Sequence, residues 1–350
     1  MSVFTDPDFD GHEQVVHCHE RASGLHAIIA IHSTRLGPAL GGIRMYPYAD
    51  EAGALNDALR LARGMSYKSA LAGLPLGGGK SVILGDPRRD KTPALLHAMG
   101  EAIERLGGRY VGAEDSGTAV ADLQLMAQTT AHVTGLQDKP GLDGGVRSGD
   151  PSPATALGVF TGIRAAVRHR FGREDLAGLR VAIQGVGSVG HRLAQLLHAA
   201  GATLFVSDVW APNLERAVQE FGAEPVAPDR IHAAPVDVYA PCALGAVLDD
   251  VTIPQLRAAI VAGAANNQLA QARHGEALRA RGVLYAPDYA INAGGIIDVC
   301  AERLGEDAAG VRARVERIGA TLTAIFEQAE SEGLPTQLVA DRLAERRLYG

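Results

Sequence analysis

Two lysines, Lys68 and Lys80, flank a Gly/Pro turn in GMSYKSALAGLPLGGGKSVILGD, residues 64 to 86. Three consecutive glycines precede Lys80 and the apolar run SVIL follows it, so backbone packs closely around this side chain at the edge of a buried strand. A lysine that is desolvated near a second positive charge has its pKa lowered, which makes it a base near neutral pH. The competing reading is that both lysines are solvated surface charges, the usual fate of this residue. The glycines argue against it. The stretch also looks like a phosphate-binding loop, but that motif needs a glycine where this chain has Leu74, and Gly73 is one position too early. A carboxyl group for proton transfer is available at Asp115, which ends the strand-like run RYVGAED.

A second chemistry lies further along. Gly185, Gly187 and Gly190 form a G-x-G-x-x-G turn with Val186, Ser188 and Val189. By itself that spacing is weak evidence in a chain with 42 glycines, and it is also compatible with an α/β turn that binds nothing. Its context is more specific: the strand LRVAIQ precedes it, the helix SVGHRLAQLLHAAG follows, and a second strand, TLFVSD, ends in Asp208 about twenty residues on. The first glycine permits the tight turn, the second lets backbone approach a pyrophosphate, and the third lets helix and strand pack. The helix N-terminus then stabilises the phosphate charge. Asp208 would bond the adenosine ribose and repel a 2′-phosphate, which favours NAD over NADP. Arg216 is the nearest basic residue.

The elements that must position these groups follow from periodicity. VVHC (15 to 18) and LHAIIAIH (25 to 32), separated by a polar break at Glu20 to Gly24, predict a hairpin. Asp50 reads as the N-cap of a helix carrying Leu55, Ala58, Leu59 and Ala62, with Gly64 near its end and a possible extension to Lys68. Thr92 and Pro93 open a second helix with Leu95, Met99, Ile103 and Leu106 on one face and Gly107 as its stop. GLDGGVRSGDPSP, 141 to 153, is a domain boundary. Beyond it LRVAIQ, TLFVSD, VDVYAP, AIVAGA and VLYAPD alternate with helical patterns at roughly 20 to 30 residues, as parallel βαβ units require.

Composition narrows the function. The chain has 350 residues, 47% of them hydrophobic and 21% charged, enough for two packed domains. A net charge of −7 with 5% aromatics disfavours nucleic acid as a partner. The N-terminal MSVFTDPDFDG lacks the zones of a signal peptide, and no apolar run is long enough to cross a bilayer. A cytoplasmic protein with no membrane contact is expected. Three cysteines, Cys18, Cys242 and Cys300, have no metal-like spacing and are read as reduced thiols. His17, Cys18 and His19 alternate across a strand, so no metal is expected there.

LGPALGGIRMYPY (36 to 48), RGMSYKSALAGLPLGGGKSVILGDP (63 to 87), GRYVGAEDSGT (108 to 118), YAPCALGAVL (239 to 248), AGAANNQL (262 to 269) and YAPDYAINAGGII (285 to 297) together resemble the amino-acid dehydrogenase family of glutamate, leucine, phenylalanine and valine dehydrogenases, most closely its leucine and valine members. The likeness runs from about Gly11 to Arg347. It implies an α/β, two-domain chain: a substrate domain at 1–140, with a C-terminal helix at 330–350 packing back on it, and a Rossmann-type doubly wound parallel sheet at 145–329, with the active-site cleft between them. It implies NAD-dependent oxidative deamination of a small apolar L-amino acid, leucine foremost, to the 2-oxo acid and ammonia. Lys68 would bind the substrate carboxylate, Lys80 would activate the attacking water, and Asp115 would shuttle protons at the amino group. Gly41 would offer backbone to the substrate, and Asn267, with Asn266, would lie near its polar head or the cofactor. Thr155 would contact the nicotinamide amide. Leu40, Ala113, Thr134, Ile296 and Val299 would line an uncharged side-chain pocket unsuited to glutamate. Ala113 would crowd an aromatic ring.

The chain ends at LAERRLYG, shorter than many leucine-specific members whose tails contribute to an octamer, and a homo-oligomer, a dimer or larger, is expected. The alternatives are an aromatic amino-acid dehydrogenase and an inactive NAD-binding regulatory protein. A phosphotransferase would need the loop spacing that this chain lacks.

Overall fold

The computed structural model describes residues 3–136, 138–142, 146–148 and 150–350. By contact the chain forms two compact units. The first comprises the chain up to Asp150 with Val299–Asp307 and Ala344–Gly350, and the second comprises Pro151–Asp298 with Ala308–Leu343. The second unit thus begins after the expected position 145, which lies with 143, 144 and 149 outside the described residues.

In the first unit β1 (Gln14–Glu20) and β2 (Leu25–Ser33) form the expected antiparallel hairpin. They are followed by β3 (Ala39–Tyr46), α1 (Glu51–Leu71), β4 (Gly77–Leu84), α2 (Pro93–Glu104), β5 (Tyr110–Glu114) and α3 (Val120–Met126). The strand order is β1-β2-β4-β3-β5, with β4 antiparallel to β2, and with β3 parallel to both β4 and β5. β2 is apolar on both faces because helices cover both: Ile28 and Ala30 pack with Ala54, Ala58, Leu59 and Ala62 of α1, while Ile29 and Ile31 join Leu95, Met99 and Ile103 of α2. β6 (Asp138–Pro140) and β7 (Val146–Ser148) pair antiparallel beyond this sheet.

The helix caps fall where the residue types place them. The Asp50 side chain accepts from Gly53 N at 2.8 Å, and Thr92 Oγ1 accepts from Leu95 N at 3.2 Å, each satisfying an otherwise orphan donor. α1 does not stop near Gly64. A glycine inside a helix costs about 1 kcal/mol against alanine, whereas the buried Tyr67, Ala70 and Leu71 extend the apolar face beyond it, and one large buried side chain contributes roughly 1.5–3 kcal/mol. The helix therefore carries Lys68, and the turn at Gly73 (φ +64°) ends it.

The second unit opens with α4 (Ser152–Phe171) and continues through β8 (Arg180–Gln184), α5 (Ser188–Ala199), β9 (Thr203–Ser207), α6 (Ala211–Phe221), β10 (Glu224–Pro225), β11 (Val238–Pro241), β12 (Ile260–Val261), α7 (Arg273–Ala280), β13 (Leu284–Tyr285) and α8 (Asp288–Ile291). Its sheet is parallel throughout, in the order β10-β9-β8-β11-β12-β13. Chain order thus reverses between β8 and β11, the switch point at which doubly wound sheets bind ligands. All five strand runs read beyond the boundary segment are present. α9 (Gly294–Leu304), α10 (Ala308–Glu332) and α11 (Thr336–Tyr349) complete the chain. The expected helix at 330–350 is broken: Gly333 adopts φ +65° and Pro335 follows. Only Ala344–Gly350 of that stretch belongs to the first unit. No helix among the described residues is long and apolar enough to cross a membrane.

Candidate active site

Strand alternation sorts β3, β4 and β5 into two faces. Ile43, Ser81 and Tyr110 face α2, with Ser81 Oγ and Tyr110 Oη 3.0 Å apart. The opposite face, under α1, carries Leu40, Gly42 and Arg44 of β3, Gly78, Lys80 and Val82 of β4, and Val111 and Ala113 of β5. The register aligns Leu40 with both Gly78 and Val111, and Gly42 with Ala113. α1 lies directly on this face: a Cβ at Gly78 would sit 1.9 Å from Ser66 N. Gly78 therefore lets α1, which carries Lys68, settle against the strand that bears Lys80. Lys80 lies within β4, inside the sheet rather than at a strand's edge, and is 5% exposed.

Asp115 follows β5 and is held by its own turn. Its backbone N–H donates to Thr118 Oγ1 at 3.1 Å, Thr118 Oγ1 donates to Ile43 O at 2.8 Å, and Ser116 N donates to Asp115 Oδ1 at 2.6 Å. Its Oδ2 is in direct contact with Lys80 Nζ. Space for this contact comes from Gly42, where a Cβ would lie 2.6 Å from Asp115 Cβ. Burial pushes the Lys80 pKa well below the ordinary lysine value, the positive charges of Arg44 and Lys68 push it the same way, and Asp57 opposes them. Lys80 is thus better suited than an ordinary lysine to accept a proton, with a carboxyl group touching it to pass that proton on.

The remaining residues expected at the substrate fall as follows. Lys68 is half-buried on α1, and Leu40, Ala113, Thr134 and Val299 are buried within the first unit. The Gly41 carbonyl accepts from Tyr110 Oη at 2.9 Å. Ile296 is buried within the second unit, so the chain crosses between units inside α9. Arg44, Asp57 and Tyr48 were not singled out from the sequence. Arg44 Nη1 donates to Asp57 Oδ2 at 2.8 Å, its Nη2 lies 3.6 Å from Asp115 Oδ1, and Tyr48 Oη donates to Asp57. The available signal was a charged residue two places after Gly42 in β3, hence on the face of Lys80.

In the second unit the glycine turn sits at the C-terminal end of β8, at the switch point. Gly185 adopts φ +91°, and a Cβ at Gly190 would lie 1.9 Å from Gly185 O. A Cβ at Gly187 would meet no heavy atom within 4 Å, so the turn is open where a pyrophosphate would approach. Ser188 and Val189 form the first turn of α5, behind Gly187 as its N-cap. Asp208 follows β9; its Oδ2 accepts from Val186 N at 2.9 Å and its Oδ1 from Trp210 N at 2.8 Å. Thr155 lies in the first turn of α4, with Oγ1 donating to Pro151 O at 3.0 Å. Asn266 and Asn267 follow β12. Asn292, which sequence reading missed, donates to Asn266 Oδ1 at 2.7 Å, and Asn267, at φ +51°, donates its N–H to Asp288. These residues fit a dinucleotide: an open glycine turn on a helix N-terminus with a fixed carboxylate beside it.

Comparison with known proteins agrees with both halves. Residues 12–132 match the model of the Glu/Leu/Phe/Val dehydrogenase dimerisation domain, and residues 144–210 and 211–337 match that of glutamate/leucine/phenylalanine/valine dehydrogenase. The chain belongs to this dehydrogenase family. It is 50% identical to the leucine dehydrogenase of Thermoactinomyces intermedius over 348 residues, 99% of this chain and 94% of that one. It is also 50% identical to the valine dehydrogenase of Streptomyces coelicolor over 345 residues, covering 97% and 93%. Among solved structures, L-tryptophan dehydrogenase from Nostoc punctiforme superposes with a TM-score of 0.82 at 45% identity, covering 97% of this chain and 96% of that one.

The glycine turn of this dehydrogenase makes a contrasting pair of predictions. Gly190→Ala drives a methyl into the Gly185 carbonyl and should lower stability by about 1–3 kcal/mol in denaturant unfolding. Gly187→Ala should unfold like the parent protein and lose dinucleotide affinity in calorimetric titration. Equal stability of both variants would contradict the packing described.

Proposed function

We propose that this dehydrogenase oxidatively deaminates a branched aliphatic L-amino acid with NAD, giving the 2-oxo acid and ammonia. The observation that carries the reading is the buried Lys80 in contact with Asp115 on a sheet face shared with Leu40, Gly42 and Ala113. Bound NAD supplies the hydride acceptor, so the substrate becomes an iminium ion. Lys68 pairs with the substrate carboxylate and orients Cα. Lys80, whose protonated form burial disfavours, takes a proton from the water that attacks the iminium carbon. Asp115 takes the ammonium proton of the bound substrate before the hydride leaves, returns it to the carbinolamine nitrogen, and takes the carbinol hydroxyl proton as ammonia departs and the ketone forms.

None of the side chains assigned to the substrate's own side chain, Leu40, Ala113, Thr134, Ile296 and Val299, is charged. An unpaired second carboxylate among them would cost several kcal/mol, roughly, which disfavours glutamate. The leucine and valine dehydrogenases at 50% identity favour branched substrates. The tryptophan dehydrogenase at 45% makes aromatic amino acids the second reading. Asp208, whose carboxylate is anchored at the glycine turn, favours NAD over NADP by repelling a 2′-phosphate. Gly41, Asn266, Asn267 and Thr155 keep the assignments given above, and the enzyme is read as a cytoplasmic homo-oligomer.

The test is to incubate the protein with NAD or NADP and L-leucine, valine, isoleucine, phenylalanine, tryptophan or glutamate, following absorbance of the reduced nicotinamide. Turnover of branched substrates with NAD and not of glutamate is expected. Faster turnover of phenylalanine or tryptophan would replace the branched-chain reading, and silence across the panel would overturn it.

A further inference from the structure

We infer that Arg44 is a positioning residue, holding the Asp115 carboxylate against the Lys80 amine and presenting a fixed positive charge to that amine. The inference rests on the catalytic role proposed for Lys80 and adds a residue to it. Arg44 leaves β3 on the face of Lys80, about one-fifth exposed, with Nη1 on Asp57 at 2.8 Å and Nη2 3.6 Å from Asp115 Oδ1. Asp57 is in turn held by the Tyr48 hydroxyl. The guanidinium thus spans from α1 to the loop after β5 and cannot swing away without breaking an ion pair.

Its Nε is buried and makes no hydrogen bond. A guanidinium with one donor stranded is a poor choice if tying α1 to β3 were the whole purpose. Placing a permanent cation beside a buried lysine is unfavourable for folding and useful for a base, because it disfavours the protonated amine. Among the described residues, the charged groups acting on Lys80 are Arg44 from β3, Asp57 and Lys68 from α1, and Asp115 after β5. β2 presents Ala30 opposite Lys80 and no charge at that position. Arg44 pairs with both carboxylates of this set.

The experiment compares Arg44→Gln, Arg44→Lys and Asp57→Asn in the full-length protein. It reads the pH profile of kcat and, independently of activity, the pH dependence of Lys80 acetylation by acetic anhydride, located by mass spectrometry. Removing the cation in Arg44→Gln should move both midpoints up by about one pH unit. Arg44→Lys keeps the charge and should restore the midpoint. Asp57→Asn removes the opposing negative charge and should move it down. A lowered melting temperature with unmoved midpoints would reduce Arg44 to a structural tie and overturn the inference. If Arg44→Gln fails to fold, an unmoved midpoint in Arg44→Lys beside a lowered one in Asp57→Asn carries the test. The acetylation midpoint reads Lys80 even when no amino acid is turned over, so failure of the deaminase reading is distinguishable from failure of the Arg44 assignment.

Discussion

Lys80→Ala should lower kcat by about 10²- to 10⁴-fold, the usual contribution of a positioned proton-transfer group, while the variant still binds NAD. The expectation rests on burial. Lys80 is 5% exposed within β4 and in contact with Asp115, and burial, helped by the cations Arg44 and Lys68, holds its pKa low. The sign of the pH response follows. An amine whose pKa is depressed becomes uncharged at lower pH than a free lysine, so the rate should rise as pH passes that depressed pKa and then level off. Lys80→Ala should lose this limb. Deleting one partner of a buried pair costs about 3–5 kcal/mol when the other is stranded, but Asp115 keeps Arg44 within 3.6 Å, so the fold should persist by circular dichroism. A small primary amine added to the assay should restore part of the rate. A variant within a few-fold of the parent kcat would remove Lys80 from the chemistry.

Asp115→Asn should lose a comparable factor, about 10²- to 10⁴-fold, for a different reason. Asparagine keeps the size and much of the hydrogen bonding but cannot relay a proton. It also removes the negative charge touching Lys80, so the acid limb of the residual activity should move to lower pH, opposite to the shift expected for Arg44→Gln. If Lys80 and Asp115 act as one relay, the double variant Lys80→Ala, Asp115→Asn should be scarcely slower than either single variant, since groups that act as a unit are strongly non-additive. Multiplicative losses would show independent roles. Unfolding midpoints for all three variants separate loss of chemistry from loss of fold.

What could be read along the chain was what local rules determine. Asp50 and Thr92 cap helices because a short polar acceptor ahead of an amphipathic run satisfies an orphan N–H wherever it occurs. Gly185, Gly187 and Gly190 were legible for the same reason: strand, turn and helix are contiguous, Gly190 packs on the Gly185 carbonyl, Gly185 meets Ala243 beyond the adjoining strand, and Gly187 leaves the turn open. The end of α1 was left between Gly64 and Lys68, short of its true end at Leu71, because the decision there was not local. The buried face of α1 beyond it, Tyr67 to Leu71, outweighed a single glycine's propensity.

The sequence by itself determined an alternating α/β chain, a dinucleotide turn, and two lysines and an aspartate with the chemistry of a deaminase. Only the tertiary structure decided that Lys80 and Asp115 come into contact. Lys80 meets Asp115 because β3 inserts between β4 and β5 in a parallel order that spacing along the chain does not encode, and α1, which carries Lys68, settles on Gly78 of β4. The Tyr48–Asp57–Arg44–Asp115 chain of contacts was invisible for that same reason: each link joins different elements, and its energy depends on distance in space and on exclusion of water, neither of which a residue's neighbours in sequence specify.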